Sequence, residues 1–107
     1  WAVGDFGTIL RWDGARWRDV PSGTIANLFA VWASSERDAW AVGERGTVLR
    51  WDGSSWIVPA NRPSVTADLE GVWGVPGGDV WIVGDDGTVL RASGGSSPTC
   101  RRTCSCP

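Results

Sequence analysis

The chain has no histidine, lysine, tyrosine or methionine, and its three cysteines all fall in the last eight residues. Without histidine there is no imidazole general base and no Ser-His-Asp triad. Any zinc site would have to be built from thiolates and carboxylates alone. There is no Gly-x-Ser-x-Gly elbow and no phosphate-cradling glycine loop. No apolar run approaches the length a bilayer requires, so membrane insertion is not expected. Charges of both signs are spread along the chain and the net charge is −2. That leaves no basic stripe for nucleic acid or an anionic membrane surface. All ten basic residues are arginine, and a GC-rich coding sequence, which disfavours Lys and Tyr codons, explains this as a property of the source. The sequence opens on Trp1 without an initiator Met or a basic-then-apolar leader, in the middle of a motif, as a fragment would, so any targeting signal is expected outside it.

What is abundant is tryptophan, nine in 107 residues, within a composition that is 42% apolar. The tryptophans repeat. Trp1-Ala2-Val3-Gly4 returns as Trp40-Ala41-Val42-Gly43 and again as Trp81-Ile82-Val83-Gly84, at separations of 39 and 41. Gly7-Thr8, Gly46-Thr47 and Gly87-Thr88 keep the same separations. Arg11-Trp12-Asp13-Gly14 matches Arg50-Trp51-Asp52-Gly53, Trp17 matches Trp56, and Leu28, Val31-Trp32 and Asp38 match Leu69, Val72-Trp73 and Asp79. The two extra residues of the longer period fall between Trp56 and Leu69, where Pro59, Asn61 and Pro63 mark a loop.

Each period predicts four short strands. Leu28–Trp32 and Leu69–Trp73 are the first; Trp1–Val3, Ala39–Val42 and Val80–Val83 the second; Thr8–Trp12, Thr47–Trp51 and Thr88–Arg91 the third; Trp17–Val20 and Trp56–Val58 the fourth. The third alternates most clearly, with Thr47, Leu49 and Trp51 on one face and Val48 and Arg50 on the other. Glycine-bracketed tight turns join the second strand to the third, and Asp13-Gly14 and Asp52-Gly53 mark the next turn. Helix is expected to be close to absent.

A four-stranded antiparallel unit of ~40 residues, repeated, is the period of a β-propeller blade. The expectation is an all-β propeller fragment of about 2.5 blades: residues 1–27 a partial blade of three strands, 28–67 a complete blade, 68–92 a partial blade lacking its fourth strand, and 93–107 a Gly/Ser/Pro linker with a Cys-rich tail. A tryptophan carries roughly 150–250 Å² of surface that seeks cover. Trp1, Trp12, Trp17, Trp32, Trp40, Trp51, Trp56, Trp73 and Trp81 are therefore expected to pack blade on blade. One end lacks a first strand and the other a fourth, so the open edges predict self-association or further blades of the same protein.

Candidate chemistry is sparse. In the tail, Cys100, Cys104 and Cys106 offer three thiols; cysteine arithmetic favours the start of a disulfide-rich module over a metal site, and no metal or cofactor is expected. The carboxylates Asp5, Glu44 and Asp85 recur in the turns, where a cation or sugar hydroxyls would be one use. Residues that recur in every repeat usually serve the repeat, and Asp suits turns by bonding nearby backbone. The same weighing makes Asp13, Asp52, Asp38 and Asp79 structural. Non-repeating residues on the turn face are better binding candidates: Phe6, Arg45 and Asp86 at the turn tips, with Asn27, Asn61 and Arg62 in the joining loops. Against them stands the commonness of isolated exposed apolar residues.

Trp-Ala-Val-Gly-Asp-x-Gly-Thr-Ile-Leu-Arg followed by Trp-Asp-Gly-x-x-Trp resembles the bacterial-neuraminidase-type (BNR, or Asp-box) propeller repeats, and is most similar to the photosystem II stability/assembly-factor-like group and secreted bacterial propellers. The resemblance spans residues 1 to about 92. Asp13-Gly14-Ala15-Arg16-Trp17 and Asp52-Gly53-Ser54-Ser55-Trp56 keep the Asp, Gly and Trp of the Asp-box but lack its Thr. The Trp-Asp pairs also resemble WD repeats, whose Gly-His is absent here. The resemblance implies a propeller fold, but propellers host unrelated activities, and the sialidase Tyr nucleophile has no counterpart in a chain without tyrosine. The expectation is a non-catalytic binding module of a secreted or surface bacterial protein, with a glycan or protein ligand and no nucleic-acid partner. The alternatives are an assembly-factor-like scaffold and a glycosidase whose catalytic residues lie in other blades.

Overall fold

The computed structural model describes residues 1–59, 65–76, 78–93 and 99–100. It is all-β, with three antiparallel sheets and no helix of seven or more residues among the described residues. The first sheet is the meander β1 (Ala2–Val3), β2 (Ile9–Trp12), β3 (Trp17–Asp19). The second runs β4 (Leu28–Ser35), β5 (Asp38–Gly43), β6 (Val48–Trp51), β7 (Trp56–Ile57), and the third β8 (Leu69–Gly74), β9 (Asp79–Gly84), β10 (Val89–Ser93), β11 (Thr99–Cys100). Every strand pairs with its neighbour in sequence, so each sheet is built from local hairpins.

The register follows from the alternation of the strands. In β6, Leu49 and Trp51 point toward the first sheet and join a core of Ile9, Leu28, Ala39, Ala41 and Trp56, bordered by Trp1, Val3, Val20 and Val31. Val48 points the other way, with Trp40 and Val42, into a second core shared with Val65 of the joining loop and with Leu69, Val72, Val80, Ile82, Leu90 and Ala92 of the third sheet. Both faces of the second sheet are thus covered. This explains why Trp40, Ala41 and Val42 have no exposed surface at all.

Two expectations are corrected. The third unit has a fourth strand, because Thr99–Cys100 pairs with β10 through Leu90↔Cys100 and Arg91↔Thr99. The stretch read as linker therefore returns to the sheet, on a two-residue strand that carries no tryptophan to betray it. Nor do all the tryptophans pack between sheets. Trp40, Trp51 and Trp56 are buried, whereas Trp12, Trp17 and Trp73 are about half exposed or more, at 50%, 49% and 59%. The physical reason is position: these three stand on the outer faces of the first and third sheets, which no sheet of the described structure covers. Cys104 and Cys106 lie outside the described residues, as do Asn61 and Arg62.

In each Asp-Gly turn the aspartate bonds nearby backbone. Asp13 Oδ1 accepts the amides of Ala15 and Arg16 at 2.8 and 2.9 Å, and Asp52 Oδ1 accepts those of Ser54 and Ser55 at the same distances. The Arg16 amide, helped by the Arg18 side chain and the Ala15 amide, holds the Asp13 carboxyl down at about 2. The Ser55 and Ser54 amides lower Asp52. In β8 the sign is opposite, because a hydrogen bond and charge repulsion from Asp85 raise Glu70.

The pH dependence follows from these directions. The two lowered aspartates stabilise the fold above the ordinary carboxylate range, and that contribution is lost as pH falls through their folded values. Glu70 behaves in reverse: its neutral form suits the fold, and its contribution is lost as pH rises through its raised value. Glu70→Gln is therefore expected to give a small rise in Tm at pH 7 and none at pH 3, read by thermal unfolding at the two pH values. An equal rise at both would mean that Asp85 does not act on Glu70 through charge.

Candidate binding face

The turns between the second and third strands of each unit share one geometry. In turn 1 (Asp5–Gly7) Phe6 has φ 57° and Gly7 φ 71°; in turn 2 (Glu44–Gly46) Arg45 has 55° and Gly46 72°; in turn 3 (Asp85–Gly87) Asp86 has 60° and Gly87 70°. Two successive positive φ values are the mark of a type I′ hairpin turn. The amides of Thr8, Thr47 and Thr88 close the turns on the carbonyls of Asp5, Glu44 and Asp85, each at 3.1 Å. A left-handed conformation is unusual for phenylalanine or arginine, so something outside the turn must support it.

That support comes from the residue that precedes the next sheet. Asn27 Oδ1 accepts the Phe6 amide at 2.9 Å, and Asp68 Oδ1 accepts the Arg45 amide at 3.0 Å. Asn27 also donates its own amide to Glu44 Oε1 at 2.9 Å and accepts the Glu44 amide at 2.9 Å. Residues 27 and 68 stand one period apart and perform the same task, a side-chain oxygen clasping the turn of the preceding sheet. Asn27 was expected to be a non-repeating binding residue. Its acceptor oxygen instead repeats as a carboxylate, which hid the equivalence. Asp68 was missed for the same reason.

The loop after the first sheet completes the face. Ser22 is buried, and its hydroxyl and the Thr24 amide and carbonyl bond one another, while Thr24 Oγ1 accepts the Ala26 amide at 3.0 Å. With its polar groups satisfied inward, the loop turns Ile25 out to 85% exposure, and Phe6 beside it is 80% exposed. They form a ridge between two concavities. One, of about 760 Å³, runs past Ile9, Asp19, Pro21 and Ser22. The other, of about 410 Å³, is bounded by Ala26, Asn27, Glu44, Arg45 and Thr47. Phe6, Thr24 and Ile25 belong to both.

Phe6, Asn27 and Arg45 line one concavity. Asp86 is exposed at the tip of turn 3 and lines neither concavity. Ile25 was not foreseen; its signal was an aliphatic residue in the polar run Ser22–Asn27, outside any strand. Among the described residues the Arg45 guanidinium is in no ion pair, and no three metal-ligating groups come together. The second concavity thus sets one cation, Arg45, and one carboxylate, Glu44, beside the exposed ridge of Phe6 and Ile25.

Known protein families, characterised proteins and solved structures offer no match to this chain.

Proposed function

We propose that the chain is a non-catalytic binding module, a run of BNR-type propeller blades of a secreted or surface bacterial protein, that engages its ligand on the turn face. Three successive antiparallel meanders packed face to face in chain order support the propeller reading. The observation that carries the binding role is the ridge of Phe6 and Ile25, two large apolar side chains held at 80% and 85% exposure above paired concavities. Phe6 occupies a left-handed backbone position that costs stability, in a turn held by a hydrogen bond from Asn27 in the loop before the second sheet. Between the two ligand classes, the aliphatic Ile25 favours a protein surface, because sugars stack on flat aromatic faces.

Phe6→Asn tests the proposal, since asparagine tolerates φ 57° and keeps the turn while deleting the ring. Peptides selected by the wild-type chain from a displayed library are expected to lose about tenfold or more in affinity for this variant, the scale of an apolar hot spot. Its unfolding midpoint is expected to hold or rise. A parallel glycan panel and a glycoside-hydrolysis assay are expected to be blank. Peptides that bind both forms equally would remove the ridge from the function, and hydrolysis would replace the binding role with an enzymatic one.

A further inference from the structure

The contact between the first and second sheets has two unlike halves, and each half recurs elsewhere on a face that no other sheet of the described residues covers. On one side is Trp1, whose ring lies 5.0 Å from both Trp51 and Trp56, edge-on to each at 62° and 79°. The Arg11 guanidinium sits 4.7 Å from the Trp1 ring and 5.5 Å from that of Trp51, and its Nη2 donates to the Glu36 carbonyl at 3.0 Å. On the other side is the cross-strand pair Trp51–Trp56, at 5.8 Å and 49°. Cover by Trp1 leaves that pair only 6% and 7% exposed.

The first sheet carries its own copy of the receiving half. Trp12 and Trp17 pair across β2 and β3 in the same register, at 5.6 Å and 58°, yet are half exposed. The third sheet carries a copy of the inserting half. Arg91 lies 5.8 Å from the Trp81 ring, as Arg50 lies 5.5 Å from Trp40, and is anchored by Asp79 at 2.6 Å. Beside Trp81, Val83 is 45% and Trp73 59% exposed, while their counterparts Val42 and Trp32 are covered by the third sheet.

We propose that these two faces dock on each other in trans: the Trp81 face of one chain seats on the Trp12–Trp17 pair of a second copy, head to tail. The occupant is a second copy because the chain holds both halves of a contact it already makes once within itself. Indole faces of this size are the surfaces that association most rewards. The faces differ, so the contact is heterologous and leads to closed rings or to growing chains rather than a symmetric dimer. The proposal is independent of the ligand assigned to the turn face, which lies on other residues.

Sedimentation velocity over micromolar to millimolar concentrations tests it, with two single variants. Trp17→Glu spoils the receiving face and Val83→Glu the inserting face, by forcing a carboxylate against indoles. The wild-type mass is expected to at least double with concentration, with a blue shift of tryptophan emission as Trp12 and Trp17 lose water. Each variant alone is expected to stay at monomer mass, and a mixture of the two to form a 1:1 dimer through the one intact face of each. A wild-type chain that remains monomeric with unchanged emission overturns the proposal, a result that does not depend on the variants folding. Association that persists in both variants would assign it to sheet-edge pairing, and loss that mixing does not restore in variants with wild-type near-UV circular dichroism would assign it to a symmetric contact; either defeats the head-to-tail arrangement.

Discussion

Gly46→Ala is expected to lower folding stability by ~2–5 kcal/mol, the sum of a left-handed alanine and overpacking against a fixed neighbour. Gly46 has φ +72°, and a Cβ built on it would stand 1.8 Å from the Val65 carbonyl oxygen. That oxygen belongs to backbone, and the Gly46 amide is itself tied to the Ala67 carbonyl at 2.8 Å, so turn and loop cannot separate without breaking the bond between the second and third units. Two other glycines calibrate the effect. Gly53 has φ +103° but meets only the Arg37 side chain at 3.4 Å, so Gly53→Ala carries backbone strain alone, ~1–2 kcal/mol. Gly4 is extended, with nothing within 4 Å of its Cβ position, and Gly4→Ala is expected to be neutral within about 0.5 kcal/mol. Urea unfolding of the three variants checks the order. If Gly46→Ala were no worse than Gly53→Ala, the close approach of turn 2 to the Val65 loop would be wrong. The loss is large against the roughly 5–15 kcal/mol that holds a small domain together.

The recurrent glycines illustrate what the sequence made legible. Gly7, Gly46 and Gly87 recur in step, and that recurrence marks the tight turns between the second and third strands. Strand alternation likewise specified which side of β6 each residue takes, because a period of two leaves no freedom once one face is buried. Burial of the tryptophans was not legible. Arg11-Trp12-Asp13-Gly14-x-x-Trp17 and Arg50-Trp51-Asp52-Gly53-x-x-Trp56 are the same local motif, yet one pair is half exposed and the other buried. The difference lies in whether another sheet stands opposite, which no window of sequence contains.

The site followed the same division. The turn tips could be placed on one face, since their positions repeat while their side chains do not. In a type I′ turn the first central side chain points away from the sheet, so Phe6, Arg45 and Asp86 are free to differ where the backbone is not. The clasp by Asn27 and Asp68 was hidden because an amide and a carboxylate look unlike in sequence, yet present the same acceptor oxygen to an amide. Ile25 was hidden because exposure of a loop residue depends on how Ser22 and Thr24 satisfy their hydrogen bonds. Function was the least legible level, since it rests on which exposed groups share a concavity, and that is a property of loops between sheets.

Trp40→Ala is expected to cost ~3–5 kcal/mol, the range for removing a large buried aromatic. Trp40 has no exposed surface, and it sits in the core between the second and third sheets with Val42, Val48, Leu90 and Ala92. Ala92 occupies the place that Trp51 holds one repeat earlier, which gives the Trp40 ring the space it fills. Truncation would therefore leave a cavity bounded on one side by an alanine that cannot reach across it. The Arg50 guanidinium, 5.5 Å from the ring, would also lose its aromatic neighbour, although Asp38 would still hold it at 2.9 Å. Two comparisons separate packing from chemistry. The indole Nε1 of Trp40 is buried without a hydrogen-bond partner among the described residues, so Trp40→Phe removes an unsatisfied donor along with part of the ring and is expected to cost only about 1–2 kcal/mol. Trp12→Ala, at a half-exposed site on the outer face of the first sheet, is expected to cost about 1 kcal/mol, from its contact with Trp17. Denaturant midpoints of the three variants give the ranking. Equal losses at Trp40 and Trp12 would mean that the second and third sheets do not share a packed core, and the face-to-face stacking on which the propeller reading depends would fall with it.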